Sequence, residues 1–216
     1  MSMRAFIGIE PSREFVGEVA DVARQLSPFI DARYVPRANY HVTVAFLGEL
    51  EERRVPDVVG CMERACGAVE PTDHICDALG SAEQIRDAVE PAEHICDAGV
   101  SMERARDAAR SVELIPDGIG KFGRARNTTL WLGLAKTQEL MSLAEDVRSL
   151  LDAASIDFDR KGFLPHITIA RHAAIPDIPL PPLVFPQPAA AIALTLFKST
   201  LSKEGASYKP LHSIPL

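Results

Sequence analysis

A chain of 216 residues, 47% hydrophobic and 25% charged, has the composition of an ordinary globular protein, with room for one sizeable domain or two small lobes. It holds no apolar run of about 18 residues, which argues against a membrane-spanning helix. A net charge of −7 argues against a protein that coats nucleic acid through many phosphate contacts. The acidity is uneven, however. Residues 68–110 carry ten acids and four arginines, net −6, which leaves −1 for the rest of the chain. A locally basic cleft therefore stays compatible with the sequence. Four cysteines, Cys61, Cys66, Cys76 and Cys96, lack C-x-x-C spacing, and a reducing cytoplasm is the expected location.

In chain order, "MRAFIGIE" predicts a strand stopped at Pro11. A helix follows, with Ser12 as its N-cap and Phe15, Val19, Val22 and Leu26 as its apolar stripe. "NYHVTVAFLGEL" predicts a strand and "VPDVVGCMERACGAV" a second helix. Within residues 68–110, "AVEPTDHICDA" recurs twenty positions on as "AVEPAEHICDA". Each copy opens at a proline where a helix tolerates one, so a helical insertion is expected here. His74 with Cys76 and His94 with Cys96 resemble metal pairs, but at i and i+2 they diverge on a helix. "SVELIPDGIGKFG" and "NTTLWLGL" predict strands around a Gly-rich turn. "TQELMSLAEDVRSLLDAA" has Leu140, Leu143, Val147, Leu150 and Leu151 at helical spacing. "GFLPHITIAR" is another strand, residues 175–188 a proline-rich connection, and "AIALTLFKSTL" and "ASYKPLHSIPL" the closing strands. The order suggests an α+β fold of two similar halves.

Each half carries one His-x-Thr, His41 with Thr43 and His166 with Thr168. On a strand, residues i and i+2 share a face. Each motif thus offers an imidazole and a hydroxyl on one side and Val or Ile on the other. One such motif is an ordinary cross-strand hydrogen-bonding pair. Two of them, brought side by side, would converge two imidazoles and two hydroxyls on one point. One histidine can then take a proton while the other gives one, and the hydroxyls suit phosphate oxygens. A zinc site would want three protein ligands, and no acid stands at ligand spacing, so neither metal nor cofactor is expected.

At these residues the sequence resembles the 2H phosphoesterase superfamily, and within it the bacterial and archaeal RNA 2′,3′-cyclic phosphodiesterases, often labelled 2′-5′ RNA ligases. "MRAFIGIEP", "HVTVAFLGEL", "GIGKFGRARNTTLWLGL", "GFLPHITIAR" and "LTLFKSTLSKEGASYKPLHSIPL" carry the likeness, in order; residues 68–110 stand outside it. The resemblance implies a single bilobal domain over residues 1–216, with two antiparallel sheets related by a pseudo-twofold axis and flanked by helices. It implies His41 and His166 as the acid–base pair, Thr43 and Thr168 as phosphate ligands, and RNA ends with a 2′,3′-cyclic phosphate as substrate, tRNA fragments among them. Water as nucleophile would leave a 2′-phosphate; an RNA 5′-hydroxyl would give 2′-5′ ligation. A monomer working without a membrane partner is expected. Another small cyclic phosphoester as substrate, or a non-catalytic RNA-end-binding role, stays open.

Arg171 follows the second motif, where the resemblance suggests a positive group near phosphate or base; a solvated strand-end arginine is the other reading. Strict alternation turns Arg171 away from Thr168 unless the strand ends or bulges there. Phe46 offers an aromatic face for a terminal base. Alternation puts it with Val42 and Val44, where core packing is expected unless that strand bulges too. Lys121, Arg124 and Arg126 form a compact basic cluster that could guide RNA or simply be solvated. Tyr40, His172 and His212 have no role assigned.

Overall fold

The computed structural model describes residues 1–67, 110–124, 128–176, 180, 182–202 and 205–216. The repeat-bearing segment, with its expected helices and its His-x-Cys pairs, lies outside the described residues, as does Arg126. In chain order come β1 (Ser2–Pro11), α1 (Arg13–Leu26), β2 (Asp31–Tyr34), β3 (Val42–Glu51) and α2 (Val55–Ala65). Then follow β4 (Glu113–Leu114), β5 (Pro116–Phe122), β6 (Thr128–Leu134), α3 (Gln138–Ala153), β7 (His166–Ala174), β8 (Ala189–Ser202) and β9 (Gly205–Pro215).

All strand pairings are antiparallel, in the order β4-β8-β1-β3-β7-β6-β5, with β9 paired to β8 and β2 to β7. The seam between the halves is narrow: β3 and β7 share the one register pair Val42↔Ile167. The helices cross that seam. Helix α1 leaves β1 and packs on β7, while α3 leaves β6 and packs on β3 and α2. Each lobe is thus covered by a helix launched from the other.

The helix caps and the two motifs of the halves lie at a constant offset of 125 positions, Ser12 to Thr137, His41 to His166 and Thr43 to Thr168. Ser12 caps α1 by accepting from the Phe15 amide, and Thr137 caps α3 by accepting from Leu140. Such a cap takes up one of the orphan amides of a first helical turn. Both helices bury the face their spacing predicts, Phe15, Val19, Val22 and Leu26 on one and Leu140, Leu143, Val147 and Leu151 on the other. Together with Val42, Val44, Ile167 and Ile169 from the backs of the motifs, these side chains join one apolar core. Among the described residues no helix is long and apolar enough to cross a membrane.

Candidate active site

The seam pair Val42↔Ile167 sets the site. Continuing that antiparallel register puts His41 opposite Thr168 and Thr43 opposite His166, all four on the face away from the buried Val42 and Ile167. The two histidines are held alike. The Nδ1 of His41 meets the Asn39 carbonyl at 2.8 Å, and that of His166 meets the Leu164 carbonyl at 2.7 Å. A carbonyl only accepts, so Nδ1 carries the hydrogen in both rings and Nε2 is the nitrogen left for proton transfer. In His41, Nε2 meets the Thr43 Oγ1 at 3.0 Å.

Beyond each threonine the strand bulges. Ile7 pairs with Ala45 and Gly8 with Thr43, which leaves Val44 as the extra residue. Leu130 pairs with Ala170 and Trp131 with Thr168, which leaves Ile169 extra. Val44 and Ala45 are both buried, as are Ile169 and Ala170. The sixth residue of each stretch therefore returns to the histidine's face. The carbonyls freed by the bulges find donors: Arg148 Nη1 donates to Val44 at 3.3 Å, and the Val35 amide donates to Ile169 at 2.8 Å. Strict alternation, which turns Phe46 into the core and Arg171 away from Thr168, is corrected here. Both line the same cavity as His41, Thr43 and Thr168. The signal was faint but present: "HVTVAF" and "HITIAR" each set two apolar residues side by side after the threonine.

That cavity measures about 450 Å³, within the range of small-ligand sites. Among the described residues three arginines, Arg4, Arg33 and Arg171, line it, and no carboxylate does. Arg4 lies over the Phe46 ring at 4.9 Å. The β8–β9 hairpin forms a further wall through Ser199, Leu201, Gly205, Ala206 and Tyr208. It is tied down by Asn39, whose Nδ2 donates to the Ala206 carbonyl at 2.7 Å. Arg4, Arg33 and the hairpin wall escape a reading of the sequence, because cross-strand register alone brings them in.

The surroundings of the two imidazoles differ. His41 packs among Phe6 at 4.7 Å, Tyr208 at 5.2 Å and Phe197 at 6.1 Å between ring centroids. Gly8 runs beneath it, where a Cβ would come within 3.2 Å of the imidazole Cδ2. His166 lies beside Phe122 at 5.1 Å and Trp131 at 5.8 Å, and it is not part of the cavity wall. Burial pulls the His41 pKa down to about 4; the Asn39 carbonyl opposes this, and the charges of His166 and Arg171 add to it. His166 is lowered too, by burial first, with the Leu164 carbonyl opposing and Arg171 adding. The Arg171 charge thus acts on both imidazoles.

Other expected residues lie elsewhere. Lys121 and Arg124 are exposed and do not line the cavity. His172 does line it, with a φ of 54°, at a second irregularity in β7. Tyr40 is buried in the core. His212 faces Glu63 of α2 at 3.8 Å. No three His, Cys, Asp or Glu side chains gather into a metal-binding group among the described residues.

The LigT like Phosphoesterase family model matches residues 9–95 of this chain. The RNA 2′,3′-cyclic phosphodiesterase of Thermotoga maritima is 27% identical over 220 residues, covering 97% of this chain and 94% of that protein. Among solved structures, TT0787 of Thermus thermophilus superposes with a TM-score of 0.68 at 22% identity, covering 99% of this chain and 98% of the other. E. coli LigT complexed with 3′-AMP gives 0.66 at 20% identity, covering 100% and 99%. These two likenesses establish the two-lobed fold.

Proposed function

We propose that this chain is a LigT-like phosphoesterase of the 2H superfamily, and that it opens 2′,3′-cyclic phosphates at RNA ends to 2′-phosphates with its two histidines as acid and base. The observation that carries this reading is the pairing at the seam. One register pair aligns His41, Thr43, His166 and Thr168 on one face, with both Nδ1 atoms spent on backbone carbonyls.

The cyclic phosphate sits between the motifs, where the Thr43 and Thr168 hydroxyls donate to its non-bridging oxygens. Arg171, whose charge reaches both imidazoles, offsets the phosphate's negative charge. Phe46, facing the same cavity, stacks on the terminal base. The nucleoside then lies on the His41 side, because His41 lines the cavity and His166 does not. In-line displacement sends the ribose 3′-oxygen toward the nucleoside and brings water from the opposite side. His166 Nε2 therefore takes the proton of the attacking water as its oxygen bonds to phosphorus. The bond from phosphorus to the 3′-oxygen breaks, and His41 Nε2–H gives that oxygen its proton. The products are a 2′-phosphomonoester and a 3′-hydroxyl, with one proton moved from His41 to His166 and the pair reset through solvent. With an RNA 5′-hydroxyl attacking in place of water, the same in-line displacement of the 3′-oxygen forms a 2′-5′ linkage.

Burial makes His41 a strong acid when protonated, and the bound anion restores its proton. For the free enzyme the active pair holds one proton, so kcat/KM rises through about 4 and falls through the His166 pKa, which lies below its ordinary 6.5. The test is incubation with 2′,3′-cyclic AMP and identification of the product. The expected result is 2′-AMP, formed at a rate that EDTA does not change. No turnover, or 3′-AMP as product, contradicts the reading.

A further inference from the structure

Two arginines face one another across neighbouring strands: Arg33 of β2 is the register partner of Arg171 of β7. Like charges set directly opposite on a sheet destabilise it. Among the described residues neither is relieved, since no carboxylate there lies within ion-pairing distance of Arg33 or Arg171. Both line the cavity, and among the described residues its wall carries no acid, in a chain of net charge −7. The Arg33 guanidinium reaches over Gly205 of the β8–β9 hairpin, where a Cβ would meet its Nη2 at 2.7 Å. The cavity wall therefore carries a second guanidinium on the strand beside Arg171, lying against Gly205 of the hairpin. A single cyclic phosphate, held by two threonines and Arg171, would leave that second charge unanswered.

We propose that Arg33 holds a second phosphate, the phosphodiester that joins the terminal nucleotide to its 5′ neighbour, so that the site selects an oligoribonucleotide end over a free mononucleotide. This rests on the reading of the site as a 2′,3′-cyclic phosphodiesterase. A planar guanidinium matches a phosphodiester's two non-bridging oxygens, and such charge-assisted pairs are about twice as strong as neutral hydrogen bonds. The Gly205 backbone leaves room for Arg33 to lie there, and a side chain at that position would displace it.

The experiment compares kcat/KM for two substrates, adenosine 2′,3′-cyclic phosphate and the dinucleotide ApA ending in a 2′,3′-cyclic phosphate, across the wild type, Arg33→Lys and Arg33→Ala. The wild type is expected to prefer the dinucleotide by about tenfold, a size typical of one charge-assisted phosphate contact. Arg33→Ala brings that ratio to near one, and Arg33→Lys retains part of it. The dinucleotide's salt dependence also flattens in Arg33→Ala, by about 0.7 in the log–log slope, the amount for one single-strand phosphate contact. A wild type without the preference, or an Arg33→Ala variant that keeps it, overturns the proposal. A wild type that turns over neither substrate removes the phosphodiesterase reading itself, a different result from an equal rate on both.

Discussion

The stretches from His41 to Phe46 and from His166 to Arg171 follow the same local path. Each has an imidazole fixed through Nδ1 to the carbonyl two residues back, a threonine on the same face, a bulge, and a sixth residue returned to that face. Their neighbourhoods are unlike. His41 is enclosed by three aromatic rings and backed onto Gly8, while His166 lies outside the cavity beside Phe122 and Trp131. The sixth residues differ as well, an aromatic ring in one half and a guanidinium in the other. The repeated backbone supplies the geometry, and in the proposed mechanism the unrepeated side chains around it divide the labour.

The sharpest way to break that division is to change the leaving group. A substrate with sulfur in the 3′-bridging position departs as a thiolate, which needs no proton at neutral pH as an alkoxide does. His41→Ala is expected to slow the oxygen substrate by about 10²–10⁴-fold and to recover most of that on the sulfur substrate, whereas His166→Ala recovers nothing. Rescue of His166→Ala instead would exchange the two roles. Next in size are the hydroxyls: Thr43→Val and Thr168→Val should each cost about tenfold to a hundredfold in kcat/KM, the worth of one hydrogen bond to a charged oxygen. An unaffected variant would remove that threonine from the phosphate.

A smaller effect separates the supports of the two halves. Asn39 both accepts from His41 and anchors the hairpin wall through its side chain; Leu164, its counterpart beside His166, has no side chain able to do the same. Asn39→Ala is expected to reduce turnover by about threefold to tenfold, the typical cost of one lost hydrogen bond, and to leave both limbs of the pH profile in place, since the backbone carbonyl remains. A displaced acid limb would mean that the side chain also sets the His41 ionisation. The mildest test concerns stability. The folded His41 protonates near 4, below an unfolded histidine at about 6.5. The unfolded chain therefore binds the proton first, and stability present above 6.5 is lost as pH falls toward 4. Denaturant midpoints should drop more steeply across that range in the wild type than in His41→Asn; parallel curves would contradict the burial argument.

Much of this was legible in the sequence, because the signals are local. Ser12 announces the helix it caps, the apolar spacings give the buried faces, and two His-x-Thr stretches framed by Val and Ile mark the seam. Alternation fails when carried past Thr43 and Thr168. A bulge depends on the partner strand's register, Gly8 against Thr43 or Trp131 against Thr168, and no window around the motif contains that partner. The short β2, "DARY", alternates as a half-buried strand does, but over only four residues, too few to stand out. Arg33 escapes notice with it, and only the register with Arg171 gives it meaning.

The proposed chemistry needs two imidazoles working as one unit at the seam. The most direct test measures turnover of 2′,3′-cyclic AMP by His41→Ala, His166→Ala and the double variant, each first confirmed as folded by circular dichroism. Each single variant is predicted to fall by about 10²–10⁴-fold, and the double variant to fall little further, because removing either member disables the pair. Losses that multiply in the double variant, or full activity in either single one, would contradict it.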